Sequence, residues 1–392
     1  MITKEKYILS NQEGNCYHFA ANRYCLVDRG SLSTLSASSR PVTLILAHGL
    51  GLHKETWEPF LEDLELLQAN NANPRESGIV TDAWSVDCPS HGDAAILNER
   101  KLLHDDTFHS SQEYAQSLMT LIEAPIFASV LPRRVILVGH SGGACAVSLV
   151  IRDCVRRWGV RNTPFYSFII IESPVLTTPV CSLQERSDHW TFVGGLLSQF
   201  ATRRRDKWNT VEEAHDWLSK RLPYKAWDPR ALRRYVEYGL RPLPTAFYPT
   251  EQAGFTLKAH KSFEERPFAS REEAPTAGAV LEEFHPLLPV HIILGQLSPF
   301  RPPDGVPLLT SRSGKNTFYA SVADIPNVNH LVRSKSFAMN SRDSVLGSVK
   351  LTFSQLVQEA PEIAARAVLA TLNVPQSLDR PGTVQAIHDL SR

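Results

Sequence analysis

The sequence predicts an α/β fold, with a mostly parallel central sheet, helices on both faces and a helical cap inserted after the sixth strand. Three observations predict it. Continuous runs rich in Val, Ile and Leu recur at Val42–Ala47, Arg134–Val138, Phe168–Ile171 and Val290–Leu294, and unbroken apolar runs of strand length suit strands buried on both faces. Helix-length segments, Ser111–Ala124 and Gly143–Arg157 among them, lie between these runs, which is the alternation of an open parallel sheet. The alternation then stops from Glu172 to Pro289, a stretch far longer than a crossover needs, and this marks an insertion.

The elements follow in order. Cys16–Val27 supplies an antiparallel edge strand, and Val42–Ala47, the third strand, runs into His48-Gly49-Leu50-Gly51. The fourth, ending in Trp84-Ser85-Val86, runs into Asp87-Cys88-Pro89-Ser90-His91-Gly92-Asp93, and Arg134–Val138 runs into Gly139-His140-Ser141-Gly142-Gly143. The sixth ends on Glu172. Inside the insertion, Val211–Leu222 and Asp228–Leu240 have helical spacing, with start signals at Asn209-Thr210 and Asp228-Pro229, a capping residue and a Pro at the first helical position. Val290–Leu294 leads to Gly295-Gln296-Leu297-Ser298-Pro299, and a strand over Thr317–Ala323 leads to a loop ending in His330. The chain of 392 residues thus divides into a core over 1–174, a cap over 175–288, and a second core part with the tail over 289–392.

Composition narrows the function classes. Lys and Arg number 41 against 41 Asp and Glu, which argues against nucleic acid as the main partner because phosphate binding needs a basic face. The six cysteines form no C-x-x-C pair or metal-ligand spacing and read as reduced thiols. Neither a secretory leader nor a transmembrane run is visible. The last three residues are Leu390-Ser391-Arg392, unlike the Ser-Lys-Leu peroxisomal address, so a cytoplasmic protein is expected. A P-loop, a strand-linked G-x-G-x-x-G and H-E-x-x-H are all missing, so neither metal nor cofactor is expected. Oligomeric state is not legible.

Gly139-His140-Ser141-Gly142-Gly143 carries the strongest chemical signal. It is G-x-S-x-G directly after a buried strand and directly before a helix, the context of a nucleophile elbow. A serine hydroxyl needs a base to take its proton, and the usual base is a histidine; His330, after the last strand, stands where fold order places one. Glu172 follows four apolar residues, where a carboxylate is costly unless partnered, and an imidazole N–H is a suitable partner. Asp304 is the rival acid. An oxyanion needs two preorganised donors, here the amides of Gly142 and Leu50. His48, His91 and Asp93 read as scaffold residues, and Arg203-Arg204-Arg205 as a solvated cap face or a contact for a phosphate or an acidic carrier. The cap aromatics include Trp190, Trp208 and Trp217; helical packing explains most of the cap aromatics, and one or two are expected to reach substrate.

Elbow, His-Gly loop, D-x-x-x-H-G turn and late histidine together resemble the α/β-hydrolase superfamily over roughly residues 15–370. Lys54-Glu55-Thr56-Trp57-Glu58-Pro59, Ala95-Ile96-Leu97-Asn98 and Tyr238-Gly239-Leu240-Arg241-Pro242 are similar to segments of fungal hydrolases encoded with toxin and polyketide pathways. That family usually has Asp-Pro-Val after the sixth strand, where this chain has Glu172-Ser173-Pro174-Val175. The resemblance implies a serine hydrolase or acyltransferase acting on an ester, a lactone or a carrier-bound acyl chain, by hydrolysis or by lactone-forming release. A C–C bond hydrolase with the same triad and a low-turnover binding protein on this scaffold are the competing readings.

Overall fold

The computed structural model describes residues 2–10, 17–27, 40–70, 78–128, 134–173, 183–270, 272–295, 321–325 and 355–372, the side chains of residues 40, 128, 183–190, 192 and 321–324 aside. Its strands are β1 Thr3–Ser10, β2 His18–Cys25, β3 Arg40–Ala47, β4 Gly78–Val86, β5 Arg134–His140, β6 Phe165–Ile171, β7 Lys207–Trp208, β8 Leu240–Pro242, β9 Phe255–Leu257, β10 Val290–Gly295 and β11 Ser321–Ile325. The helices of the N-terminal half are α1 Glu58–Ala69, α2 Gly92–Leu97, α3 Glu99–His104, α4 Ser110–Glu123, α5 Pro125–Ala128 and α6 Gly142–Trp158. They are followed by α7 Leu183–Arg203, α8 Val211–Ser219, α9 Pro229–Gly239, α10 Ser262–Ala269, α11 Glu273–Phe284, α12 Leu356–Glu359 and α13 Pro361–Thr371.

Eight strands form one sheet in the order β1-β2-β4-β3-β5-β6-β10-β11. The pairs β1–β2 and β2–β4 are antiparallel, and every later pair is parallel. The mostly parallel sheet is as the apolar runs predicted. Strand β1 was missed, because TKEKYILS alternates with charged residues and sits at an exposed edge.

Side chains one residue apart on a strand face opposite sides, and the sheet's two cores follow that period. Ile45, Val135, Leu137, Phe168 and Ile170 pack with α4, α6 and α11. Leu44, Leu46, Ile136, Val138, Ile169 and Ile171 form a second core with α1, α12 and α13. All eleven are fully or almost fully buried, and each contributes roughly 1.5–3 kcal/mol relative to exposure.

Register decides where chemistry collects. Ala47 lies opposite Gly139, His140 opposite Ile171, and Ile171 opposite Ile293. The strand ends are therefore level, and the next residues (His48, Ser141 and Glu172) emerge along one edge. Two hydrogen bonds lock this edge: Ser141 N donates to Ile171 O and Glu172 N to Ile293 O, both at 2.9 Å.

The insertion over that edge is helical, as expected, with one addition. Strands β7, β9 and β8 make a three-stranded antiparallel sheet; runs of two and three residues carry no readable periodicity. The helix starts lie where the sequence marked them. Thr210 Oγ1 accepts from Glu213 N at 3.1 Å, and Asp228 accepts from Arg230 N at 2.8 Å with Pro229 at the first position. Trp208, Leu218, Tyr224, Trp227, Leu232 and Tyr235 form the insertion's own apolar centre. Helix α9 rests on Lys54–Trp57 and α1, tied by Arg230–Asp63 and Arg234–Glu58 ion pairs, each at 2.8 Å. The final helix of the 175–288 segment, α11, packs on α6, and Ala277, Leu281 and Phe284 join the sheet's core.

Candidate active site

Ser141 occupies the turn between β5 and α6 with φ 52° and ψ −118°, a left-handed conformation that side chains rarely adopt. Glycines make the turn possible by admitting neighbouring backbone. A Cβ on Gly139 would lie 2.7 Å from Ala144 Cα, and one on Gly143 would lie 2.5 Å from Ala47 O. A Cβ on Gly142 would come within 2.7 Å of Leu50 Cγ and 3.2 Å of Leu50 N. The two predicted oxyanion donors thus belong to backbones in close contact, and among the described residues neither amide has a hydrogen-bond acceptor.

The loop carrying Leu50 is held by three buried side chains. Tyr114 Oη accepts from His48 N at 2.8 Å and donates to Val86 O at 2.7 Å. His48 donates from Nδ1 to Gly49 O at 2.8 Å and accepts at Nε2 from Cys88 N at 3.1 Å. His91 Nε2 accepts from Gly51 N at 3.0 Å, while its Nδ1 lies 2.9 Å from Ser90 Oγ. Both rings are neutral: burial pulls His48 well below the usual imidazole range and His91 down to about 3. His48 and His91 bond within the scaffold, and Asp93 does too, pairing with Lys54 at 2.7 Å. Tyr114 carried no signal in the sequence beyond being an aromatic residue on a helix.

Glu172 is the other non-glycine residue with positive φ among the described residues, at φ 45°, and it is fully buried. Its Oε2 accepts from Leu356 N at 2.6 Å and lies 3.9 Å from His140 Nε2. Its Oε1 has no hydrogen-bond partner among the described residues. Both ring nitrogens of the buried His140 are likewise without a described partner. Burial, with the nearby Glu172 carboxylate adding to it, raises the Glu359 carboxyl to about 8. His330 and Asp304 lie outside the described residues.

Two cavities flank the site. One, of about 500 Å³ open to solvent, is lined by Ser141, Gly142, Leu50, Tyr114, Cys145 and Glu273, among others. Glu273 accepts there from Ser111 N and Oγ at 3.1 and 2.5 Å. Burial pushes the Cys88 thiol up to about 11 and Cys145 further, so both are protonated. The second cavity shares Leu50 and Phe268 with the first and runs under the insertion past Phe200, Tyr224 and Trp227. Trp208 and Trp217 pack on each other at 6.0 Å in the insertion's centre and line neither cavity. The side chain of Trp190 is outside the described set.

The arginine triplet is not one solvated face. Arg203 and Arg205 are exposed, but Arg204 is buried, donating from Nη1 to Glu264 Oε2 at 3.0 Å and to Tyr224 Oη at 2.9 Å. Sequence position alone does not reveal that α7 ends by turning this side chain inward onto Glu264.

A strained serine at a helix N-terminus, two amides beside it that no described residue engages and a buried carboxylate on the next strand can support attack on a carbonyl carbon. A family model described as "Alpha/beta hydrolase family" matches residues 44–333. The type I acyl-CoA thioesterase mpaH of Penicillium brevicompactum is 27% identical over 212 residues, covering 54% of this chain and 43% of that protein. Its counterpart in Penicillium roqueforti (strain FM164) matches to the same extent, so the match spans under half of these relatives' length. The solved structure of the peroxisomal alpha-beta-hydrolase Lpx1 from Saccharomyces cerevisiae superposes with a TM-score of 0.62 at 15% identity, over 98% of this chain and 93% of that one.

Proposed function

The chain belongs to the α/β-hydrolase family, and from that premise we propose that it is a serine hydrolase or acyltransferase working through an acyl-enzyme. Ser141 Oγ attacks the carbonyl of an ester, thioester or lactone, and His330 takes its proton. Glu172 holds the imidazole in the right tautomer and stabilises the imidazolium. The amides of Gly142 and Leu50 receive the oxyanion. As the intermediate collapses, His330 returns the proton to the leaving alcohol or thiol, and Ser141 retains the acyl group. Attack by water then gives a free acid, attack by a hydroxyl of the acyl chain gives a lactone, and another acceptor gives transfer.

The observation that supports this reading is the paired strain at Ser141 and Glu172, with the buried Glu172 Oε1 free of a hydrogen-bond partner among the described residues. Leu356 N already engages Oε2, so a histidine N–H would complete the carboxylate. Relatives that are acyl-CoA thioesterases favour a thioester, and a polyketide-type acyl chain on coenzyme A or a carrier protein is the substrate class proposed. Ser141→Ala should lose labelling by a fluorophosphonate and turnover of an activated thioester. Intact mass of the wild-type protein after exposure to acyl thioesters should show an adduct on Ser141. Undiminished labelling of Ser141→Ala would overturn the assignment.

A further inference from the structure

Helix α12, whose first amide holds Glu172, is a single turn of four residues. A turn of that length is not stable by itself, because nucleation fixes several dihedrals for one hydrogen bond. The amides that open a helix have no partner within it, and Gln355, the residue before α12, offers no side-chain cap. Two carboxyls supply what is missing. Glu172 Oε2 accepts from Leu356 N at 2.6 Å, and Glu359 Oε1 reaches back to accept from Gln355 N at 3.1 Å. Adjacent amides are thus gripped by two carboxyls, one from the end of β6 and one from the last residue of the turn itself.

Two carboxylates sharing one site repel, and one of them keeps its proton. Burial, with the Glu172 carboxylate adding to it, raises Glu359 to about 8, so at neutral pH the proton stays on Glu359. The elements packed on α12 are α1, α9, α13 and the Lys54–Trp57 turn, and their charged groups pair elsewhere. Glu58 meets Lys4 and Arg234, Glu62 and Asp63 meet Arg230, and Glu237 meets Arg234. Lys54 meets Glu55, and Glu362 meets Arg366. None of these groups, nor Glu65 or the exposed Arg233, acts on Glu359; among the described residues the charge that does so is Glu172.

Resting on the serine-hydrolase reading above, we propose that Glu359 is a positioning residue for the acid: by closing α12 back onto Gln355 N it keeps the Leu356 amide on Glu172. The proton on Glu359 is part of that role. Its loss puts a second negative charge beside the acid, and repulsion between the two opens the turn and frees Glu172 to leave the geometry that an imidazole N–H requires.

The test measures kcat and KM on a soluble acyl thioester between about pH 6.5 and about pH 9.5, corrected for uncatalysed hydrolysis. Glu359→Ala leaves Gln355 N without its acceptor and lets the acid drift. Near neutral pH its kcat should fall about tenfold to a hundredfold, with KM little changed. Glu359→Gln keeps an accepting oxygen and has no proton to lose, so it should bring kcat back to within about threefold of the wild type. The wild type should lose about tenfold in kcat from about pH 7 to about pH 9, as one ionisation near 8 requires, and Glu359→Gln should lack that fall. A merely structural side chain would not produce an alkaline limb that a neutral isostere abolishes.

Amide hydrogen exchange over residues 355–360 reads the grip on Glu172 without turnover. Exchange at Leu356 should quicken by about tenfold or more in Glu359→Ala and stay near the wild-type rate in Glu359→Gln. Unchanged exchange at Leu356 in Glu359→Ala, wild-type kcat in that variant, or an alkaline limb that persists in Glu359→Gln each overturns the proposal. A dead Glu172→Gln beside a fully active Glu359→Ala fails the positioning role alone. Full activity in Glu172→Gln fails the acid assignment, and the positioning role with it.

Discussion

The amide of Leu356 donates to Glu172 Oε2 at 2.6 Å, so the carboxylate at the end of β6 is held from the far end of the chain. The cap reaches the same short helix, because Asp228 N donates to Gln358 O at 2.8 Å. Cap, C-terminal segment and acid therefore meet within four residues of α12, and among the described residues Glu172 is left with one buried oxygen to offer.

The first prediction concerns that oxygen. Glu172→Gln keeps the shape but presents the wrong hydrogen-bonding partner to an imidazole N–H, and kcat on an activated thioester should fall by about a thousandfold or more. Glu172→Asp keeps the charge and should retain the larger part of the activity. Asp304→Ala is the control for the rival acid. A thousandfold loss in Asp304→Ala beside a near-silent Glu172→Gln would transfer the role.

Gly142 gives the second. A Cβ there would meet Leu50 Cγ at 2.7 Å and press on Leu50 N at 3.2 Å, displacing one oxyanion donor relative to the other. Loss of a single such donor costs about a hundredfold or more in kcat, so Gly142→Ala should show that loss with KM little changed. Steady-state kinetics on a soluble thioester separates the two parameters; a variant with raised KM and intact kcat would remove Leu50 N from the oxyanion site.

What the sequence made legible was whatever is local. Ser141 and Gly142 stand in a five-residue pattern whose neighbours on both sides are a strand and a helix, and Glu172 is conspicuous as a charge closing an apolar run. Their convergence follows from parallel register, which brings the ends of β5 and β6 level. Tyr114 was silent, and Arg204 read as part of a solvated face or a phosphate contact, because their roles depend on partners far away in sequence: His48 across 66 residues and Glu264 across 60. The same holds for Trp208 and Trp217, whose place in the sequence cannot say whether an aromatic faces a cavity or its neighbours.

The third prediction is a pH dependence of stability. His91 is held to about 3, His285 to about 4 and His291 to about 4, burial being the leading cause in each. In the unfolded chain these rings protonate near 6.5. Between those values the unfolded state binds protons that the folded state refuses, so stability is full above about pH 6.5 and is lost as pH falls towards 3 to 4. Each such ring costs about 1.4 kcal/mol per pH unit inside that window. Urea midpoints should therefore drop steeply between about pH 7.5 and about pH 5. His291→Gln should show a shallower drop than the wild type, and an equal drop would exclude His291 as a contributor.

The last prediction tests the charge cluster beneath the Leu50 loop. Lys54 is almost fully buried, yet its Nζ lies 2.8 Å from Asp87, 2.9 Å from Glu55 and 2.7 Å from Asp93. Burial pulls an ammonium towards neutrality, but the three carboxylates outweigh it and hold Lys54 above the ordinary lysine value. Asp87 also accepts from the amides of Lys54 and Asp93 at 2.8 and 2.9 Å, so it organises the turn that carries His91. Lys54→Met removes the cation and leaves Asp87 and Glu55 buried without it. Breaking a buried pair from one side costs about 3–5 kcal/mol, and urea unfolding at neutral pH should show a loss of that order. Adding Asp87→Asn removes one of the stranded charges and should recover part of it, because the cost lies in the uncompensated anion more than in the missing side chain. A single-variant loss below about 1 kcal/mol, the range of exposed pairs, would mean that Lys54 is not the counterion of this cluster.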